Sequence, residues 1–155
     1  MEKQLTVITG TESLLETRSE EIKVLIDFYK AFNQRDLELM QNVWLNSKEA
    51  SMNNPVGGIM RDWTEIKSVY EKIFNGSAKV YVEFYDFTIL STDNMFFATG
   101  REKGYFEKGE TRIELAIRTS RIFIKHNNEW KQIQHHGSID NPDLLDKYQK
   151  AILNK

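Results

Sequence analysis

The chain has 155 residues, 21 Lys and Arg against 23 Asp and Glu, a net charge of −2, and no cysteine. The missing thiols exclude a disulfide framework, a cysteine nucleophile and any cysteine-ligated zinc or iron–sulfur site, and the near-neutral charge speaks against a nucleic-acid binder. With 12% aromatic residues the chain does not have the composition of a disordered one, and its length suits one domain.

Residues 1–18 carry the weakest pattern and read as a loosely attached N-terminal arm on a single domain spanning 19–155. They lack the long apolar run of a signal peptide, and no stretch approaches the ~20 apolar residues of a membrane span. A cytoplasmic protein without a membrane partner is therefore expected. From Ser19 the pattern becomes helical: Ile22, Leu25, Ile26, Tyr29 and Phe32 form one apolar stripe, with Ser19 as its cap. Asp36 reads as the cap of a second helix carrying Leu37, Met40, Val43 and Trp44. The run Asn53-Asn54-Pro55-Val56-Gly57-Gly58 is a loop. Asp62 and Glu65 read as a capping box for a third helix with Trp63, Ile66, Val69, Tyr70, Ile73 and Phe74, which Asn75-Gly76 ends.

Beyond Gly76 the period changes to two. Strands are predicted over 79–90, 95–106, 112–125 and 129–138, with Asp93-Asn94, Lys108-Gly109 and Asn127-Asn128 in the connections. Asn141-Pro142 then opens a final short helix. Three helices followed by a meander of long antiparallel strands make an α+β pattern, and a curved sheet wrapped on helices leaves an interior space for a ligand.

Three segments carry a family resemblance. The first is Phe28-Tyr29-Lys30-Ala31-Phe32-Asn33-Gln34-Arg35-Asp36-Leu37. The second is Asn54-Pro55-Val56-Gly57-Gly58 followed by Trp63-Thr64-Glu65-Ile66. The third joins Arg118-Thr119-Ser120-Arg121-Ile122-Phe123 to the run from Trp130 to Ser138. In this order they resemble the nuclear transport factor 2 (NTF2)-like superfamily. It includes ketosteroid isomerase, scytalone dehydratase, the SnoaL-like polyketide cyclases and the association domain of calcium/calmodulin-dependent kinase II. The resemblance implies a cone-shaped, cystatin-like fold. It also implies either a small-molecule pocket or an association module, and dimers through the outer face of the sheet.

The isomerase groups are not kept. The position of the general-base Asp is Asn54, that of the oxyanion Tyr is Phe28, and that of the protonated Asp is Ser120. An amide, a phenyl ring and a small hydroxyl cannot run that chemistry.

The resemblance turns the Ser120 side of its strand inward, and strict alternation then makes Arg118 the inward cation. The association-domain resemblance matches Arg121 to a pocket arginine instead. His136 shares a face with Trp130, Gln134 and Ser138, and SnoaL-like relatives carry a cavity His there. It reads as a proton-transfer group or as a strand-end His bonded to a carbonyl. Glu102 matches a Glu frequent in those relatives and reads either as a second proton-transfer group or as part of an exposed strand. Asn54 reads as a ligand contact or a turn residue, and Tyr29 and Trp63 as core or pocket wall. His135 reads as a surface residue. Adjacent strand residues face opposite ways, so His135 and His136 do not make a metal pair; neither metal nor cofactor is expected.

Overall fold

A computed structural model describes residues 5–14 and 19–153. Local chemistry starts each helix close to its predicted place. Ser19 accepts a hydrogen bond from Ile22 N at 3.2 Å and opens α1 (Glu20–Asn33), and Asp36 accepts from Leu39 N at 3.0 Å and opens α2 (Leu37–Val43). The third start is shifted by one residue. α3 (Asp62–Asn75) is preceded by Arg61, whose N–H donates to the Glu65 carboxylate at 3.0 Å, while Asp62 accepts from Thr64 N at 3.2 Å. At the end of the chain Asn141 accepts from Asp143 N and Leu144 N and opens α4 (Pro142–Leu153). These bonds satisfy N–H groups that a helix start leaves without intrahelical partners.

The sheet has seven strands in the order β1-β4-β5-β6-β7-β2-β3. Its centre is the expected antiparallel meander: β4 (Lys79–Ser91), β5 (Met95–Lys108), β6 (Thr111–His126) and β7 (Glu129–Ser138). Two short strands, β2 (Ser51–Asn53) and β3 (Met60–Arg61), flank the predicted loop, and β2 runs parallel to β7. The sheet is therefore mixed. Such short strands lack a periodic pattern; pairing with β7 across about 80 positions of sequence sets β2 in place, and β3 pairs with β2.

The expected N-terminal arm also belongs partly to the sheet. Residues 1–4 and 15–18 of it lie outside the described residues. Between them Val7–Ile8 forms β1 against Tyr85 and Phe84 of β4, and the Ile8 side chain is fully buried. A two-residue strand is too short to read in advance, and burial of one Ile anchors it.

Two irregularities shape the sheet. In β4, Tyr85 pairs with Arg101 but Thr88 pairs with Thr99, so Asp86 and Phe87 share one partner, Gly100. Asp86 has φ +48°. Phe87 turns inward and stacks on Phe84 with ring centres 4.9 Å apart. A Cβ on Gly100 would sit 2.7 Å from the Phe87 Cβ, so glycine leaves room for the bend. In β7, Gln132 pairs with Phe123 and Gln134 with Ile122, which leaves Ile133 unopposed. This second bulge reverses the facing of every residue after it.

The helices α1, α2 and α3 pack on the inner face of the sheet over a core that includes Leu25, Phe28, Tyr29, Met40, Trp44, Ile66, Phe84, Phe96 and Phe123. Phe96 and Phe123 stack at 4.5 Å, with Trp130 edge-on to Phe96 at 4.9 Å. Among the described residues no helix is long and apolar enough to cross a membrane.

Candidate functional site

Strand alternation makes the floor of the site. On β6 the inward residues are Leu115, Ile117, Thr119, Arg121 and Phe123; on β5 they include Glu102 and Phe106. Glu102 and Arg121 are 4% and 2% exposed. Arg121 Nη2 donates to Glu102 Oε2 at 3.0 Å, and the Tyr29 hydroxyl from α1 donates to the same oxygen at 2.6 Å. Arg121 Nη1 donates to Gln132 Oε1 at 3.0 Å, and its Nε makes a long bond to the Tyr29 hydroxyl at 3.4 Å. The guanidinium also lies 3.6 Å from the centre of the Phe28 ring. A buried ion pair of this kind holds only when hydrogen bonds and charge compensate both partners, and here they do.

The electrostatics follow. Burial holds the Tyr29 hydroxyl well above its usual pKa, partly offset by Arg121 and reinforced by Glu102. Burial works against the Arg121 cation, but Tyr29 and Glu102 outweigh it and its pKa is raised. Tyr70, on the same wall, is pushed up to about 12, chiefly by burial.

Beside this floor stands a cavity of about 560 Å³. Its walls are apolar: Phe28, Val69, Val80, Val82, Leu115 and Ile117 among others. Its buried polar groups include Glu102, Arg121, His135 and the Tyr70 hydroxyl, and exposed Lys72, Ser77, Lys108 and Ile152 mark its mouth. α4 closes one side with Tyr148 and Ala151, tied down by Gln149 Nε2 donating to Val56 O at 3.0 Å. Tyr148 is pushed up to about 12, by burial first and by the Glu102 charge second. Tyr29 and Arg121 both meet Oε2 of Glu102, and no hydrogen bond to its Oε1 is found among the described residues.

His135 is the least satisfied group. It is 7% exposed, lines the cavity, and neither ring nitrogen has a hydrogen-bond partner among the described residues. Burial, with smaller contributions from Arg121 and His136, holds its pKa well below 6.5. The imidazole is therefore neutral at pH 7, with one donor and one acceptor nitrogen.

Several expected site residues lie elsewhere. His136 is exposed on the outer face, because the bulge at Ile133 puts His135 and Gly137 inward with Trp130 and Gln132. Arg118 is exposed on that same face, opposite Arg101 and Ser138, and Arg121 is the inward cation. Ser120 faces outward too, its hydroxyl 3.3 Å from that of Thr99. The inward set on β6 follows the apolar residues Leu115, Ile117 and Phe123, and that alternation was the available signal for Arg121. No periodic signal pointed to His135.

The other candidates are closer to the cavity. Glu102 lines it, and Tyr29 holds Glu102 from behind. Asn54 lines it as well, while its Oδ1 accepts from Val56 N at 3.2 Å and shapes the turn. Trp63 is buried against Trp44, outside the lining. Among the described residues no group of three or more His, Asp or Glu is placed to hold a metal ion.

Known proteins share this fold. The model of the SnoaL-like domain family matches residues 22–142, most of the chain and all of the floor. The chain belongs to the SnoaL-like domain family. This SnoaL-like domain shares its fold with a suggested dehydratase of the NTF2-like family from Streptomyces avermitilis (TM-score 0.67, 19% identity, covering 77% of this chain and 92% of that one). It also resembles a suggested calcium/calmodulin-dependent protein kinase II association domain from Xanthomonas campestris (TM-score 0.67, 15% identity, 85% and 94% covered). A cystatin-like protein from Caulobacter vibrioides has the same architecture (TM-score 0.66, 15% identity, 86% and 95% covered). At these identities the likeness concerns the fold, since one fold hosts many functions. Among curated proteins, the F-box protein SKIP8 of Arabidopsis thaliana is 21% identical over 148 residues. This SnoaL-like domain spans 60% of that protein's length.

Proposed function

We propose that this SnoaL-like domain binds a small, largely apolar molecule in its cavity, with Glu102 as a ligand-facing polar group. One observation carries the reading: a cavity of about 560 Å³ with apolar walls has the buried carboxylate of Glu102 in its lining. The volume lies within the roughly 300–1,000 Å³ typical of ligand sites, and few polar groups on an apolar wall are their usual chemistry. The Glu102 carboxylate is also the group in the lining able to accept a proton from such a molecule.

Filling the cavity tests this. In the parent protein, compounds with an apolar body raise the melting temperature by mass action. Leu115→Trp, which places an indole in the cavity, abolishes that rise while the far-ultraviolet circular dichroism stays unchanged. A diverse compound set that shifts neither protein overturns the reading.

A second reading, association through the outer sheet face, has its own support. Leu90, Phe97 and Ile122 stand in register on β4, β5 and β6, and none packs against the core. Leu90 is 60% exposed. An apolar row on an open face suits a second copy of the chain. Light scattering is then expected to give a dimer for the parent and a monomer for Phe97→Glu/Ile122→Glu. A monomeric parent removes this reading and leaves the pocket untouched.

A further inference from the structure

The charges in the cavity lining are not spread evenly. At the floor Arg121 and Glu102 are joined at 3.0 Å and are 2% and 4% exposed. Tyr29 and Gln132 share in the hydrogen bonds of this pair, and the Phe28 ring lies close to the guanidinium. A further charge brought down beside the pair would be buried without a counter-charge, which a water-poor interior strongly disfavours. The other buried polar groups offer none: at pH 7 burial keeps His135 neutral and the Tyr70 hydroxyl protonated.

The mouth is different. Lys72 and Lys108 are its charged residues, and both are exposed. Neither ammonium has an ion pair or a hydrogen bond among the described residues. Their acidic neighbours in the chain, Glu71, Glu107 and Glu110, stay outside the lining, and Glu107 is paired with Arg112 at 3.0 Å. The lining therefore carries two positive charges without a carboxylate partner, in a chain whose net charge is −2. Both lysines stand on ordered backbone. Lys108 ends β5 opposite Thr111 of β6. Lys72 lies in the last turn of α3, and just beyond it Arg35 donates to the carbonyls of Phe74, Gly76 and Ala78. A lysine's flexible stem lies along apolar surface while its ammonium stays in water. At about 30 Å³ per water-sized unit, the cavity of about 560 Å³ takes an apolar body of roughly 15–20 non-hydrogen atoms.

We infer that the ligand is an amphipathic monoanion, with an apolar body that fills the cavity and a carboxylate or other singly charged acidic end that stays at the mouth, in the field of Lys72 and Lys108. There the anion keeps most of its water, so little desolvation opposes it, while the two ammonium charges favour it over a neutral or cationic end. This rests on the ligand-binding reading above and narrows it to a chemical class.

Three probes that share a ten-carbon chain separate the possibilities: decanoate, decan-1-ol and decylammonium. Titrations of the full chain at pH 7 and low salt are expected to show decanoate binding about three- to tenfold tighter than the alcohol and at least about tenfold tighter than the ammonium. Exposed ion pairs are individually weak, which sets this moderate scale. Raising the ionic strength to about 1 M, where the Debye length is about 3 Å, brings decanoate within about twofold of decan-1-ol. Lys72→Gln/Lys108→Gln does the same at low salt, with decan-1-ol on the same variant reporting an intact cavity. Lys30→Gln/Lys48→Gln removes two exposed lysines outside the lining and keeps the preference. Decan-1-ol or decylammonium binding as tightly as decanoate overturns the inference and leaves the ligand-binding reading standing. A decanoate preference that survives in Lys72→Gln/Lys108→Gln does the same. If none of the three binds the parent, the inference falls, and the ligand-binding reading stands or falls with the diverse compound set.

Discussion

Glu102→Ala is expected to destabilise the fold by about 3–5 kcal/mol, because it leaves the Arg121 guanidinium buried without its counter-charge. Arg121 is 2% exposed, so water cannot replace the lost carboxylate. The Tyr29 hydroxyl loses its 2.6 Å acceptor in the same step. For a chain of this length the melting temperature should fall by roughly 10 °C. The double variant Glu102→Leu/Arg121→Met should lose much less than the sum of the two single changes, since it removes both charges and keeps the volume apolar. Urea unfolding of the parent, Glu102→Leu, Arg121→Met and the double variant measures this coupling. Additive losses would show that the two side chains do not act as a unit.

Stability should also fall as the solution is acidified below pH 6.5, and His135 should account for the slope between pH 6.5 and 5. Burial, with Arg121 nearby, holds the folded-state pKa of His135 well below the unfolded value of 6.5. In that window the unfolded chain therefore binds a proton that the folded chain refuses. Unfolding becomes easier as pH drops, by up to about 1.4 kcal/mol per pH unit for one proton. The contribution is fully present above pH 6.5 and is lost progressively toward the depressed pKa of the folded state. Unfolding free energies at pH 7.5, 6.5, 5.5 and 5.0 should trace this decline. His135→Phe should flatten it, because a phenyl ring takes up no proton. A slope unchanged in His135→Phe would place the titrating group elsewhere.

These two residues show how legible the site was. Glu102 was singled out by its match to a Glu frequent in SnoaL-like relatives, with an exposed strand as the other reading, and alternation with Phe106 agrees with its inward facing. Arg121 was readable in principle, because Leu115, Ile117 and Phe123 share its parity; the family comparison with Ser120 pointed to the opposite face. His135 was not readable. Its facing depends on one unopposed residue, Ile133, and a bulge changes which side chains turn inward without leaving a mark in composition or period. The same physics separates the long helices and strands, which announced themselves, from β1, β2 and β3. Two or three residues cannot show a period, and their place is decided by the edge against which they pair.

The sequence by itself therefore determined the α+β class, the order of helices and long strands, and the absence of the three isomerase groups. Caps, turn residues and hydrophobic period act over a few neighbouring positions, so they can be read directly. Only the tertiary structure decided which arginine meets Glu102 and which histidine turns inward. That outcome depends on strand register and on a bulge within β7, and both are settled by packing across the sheet.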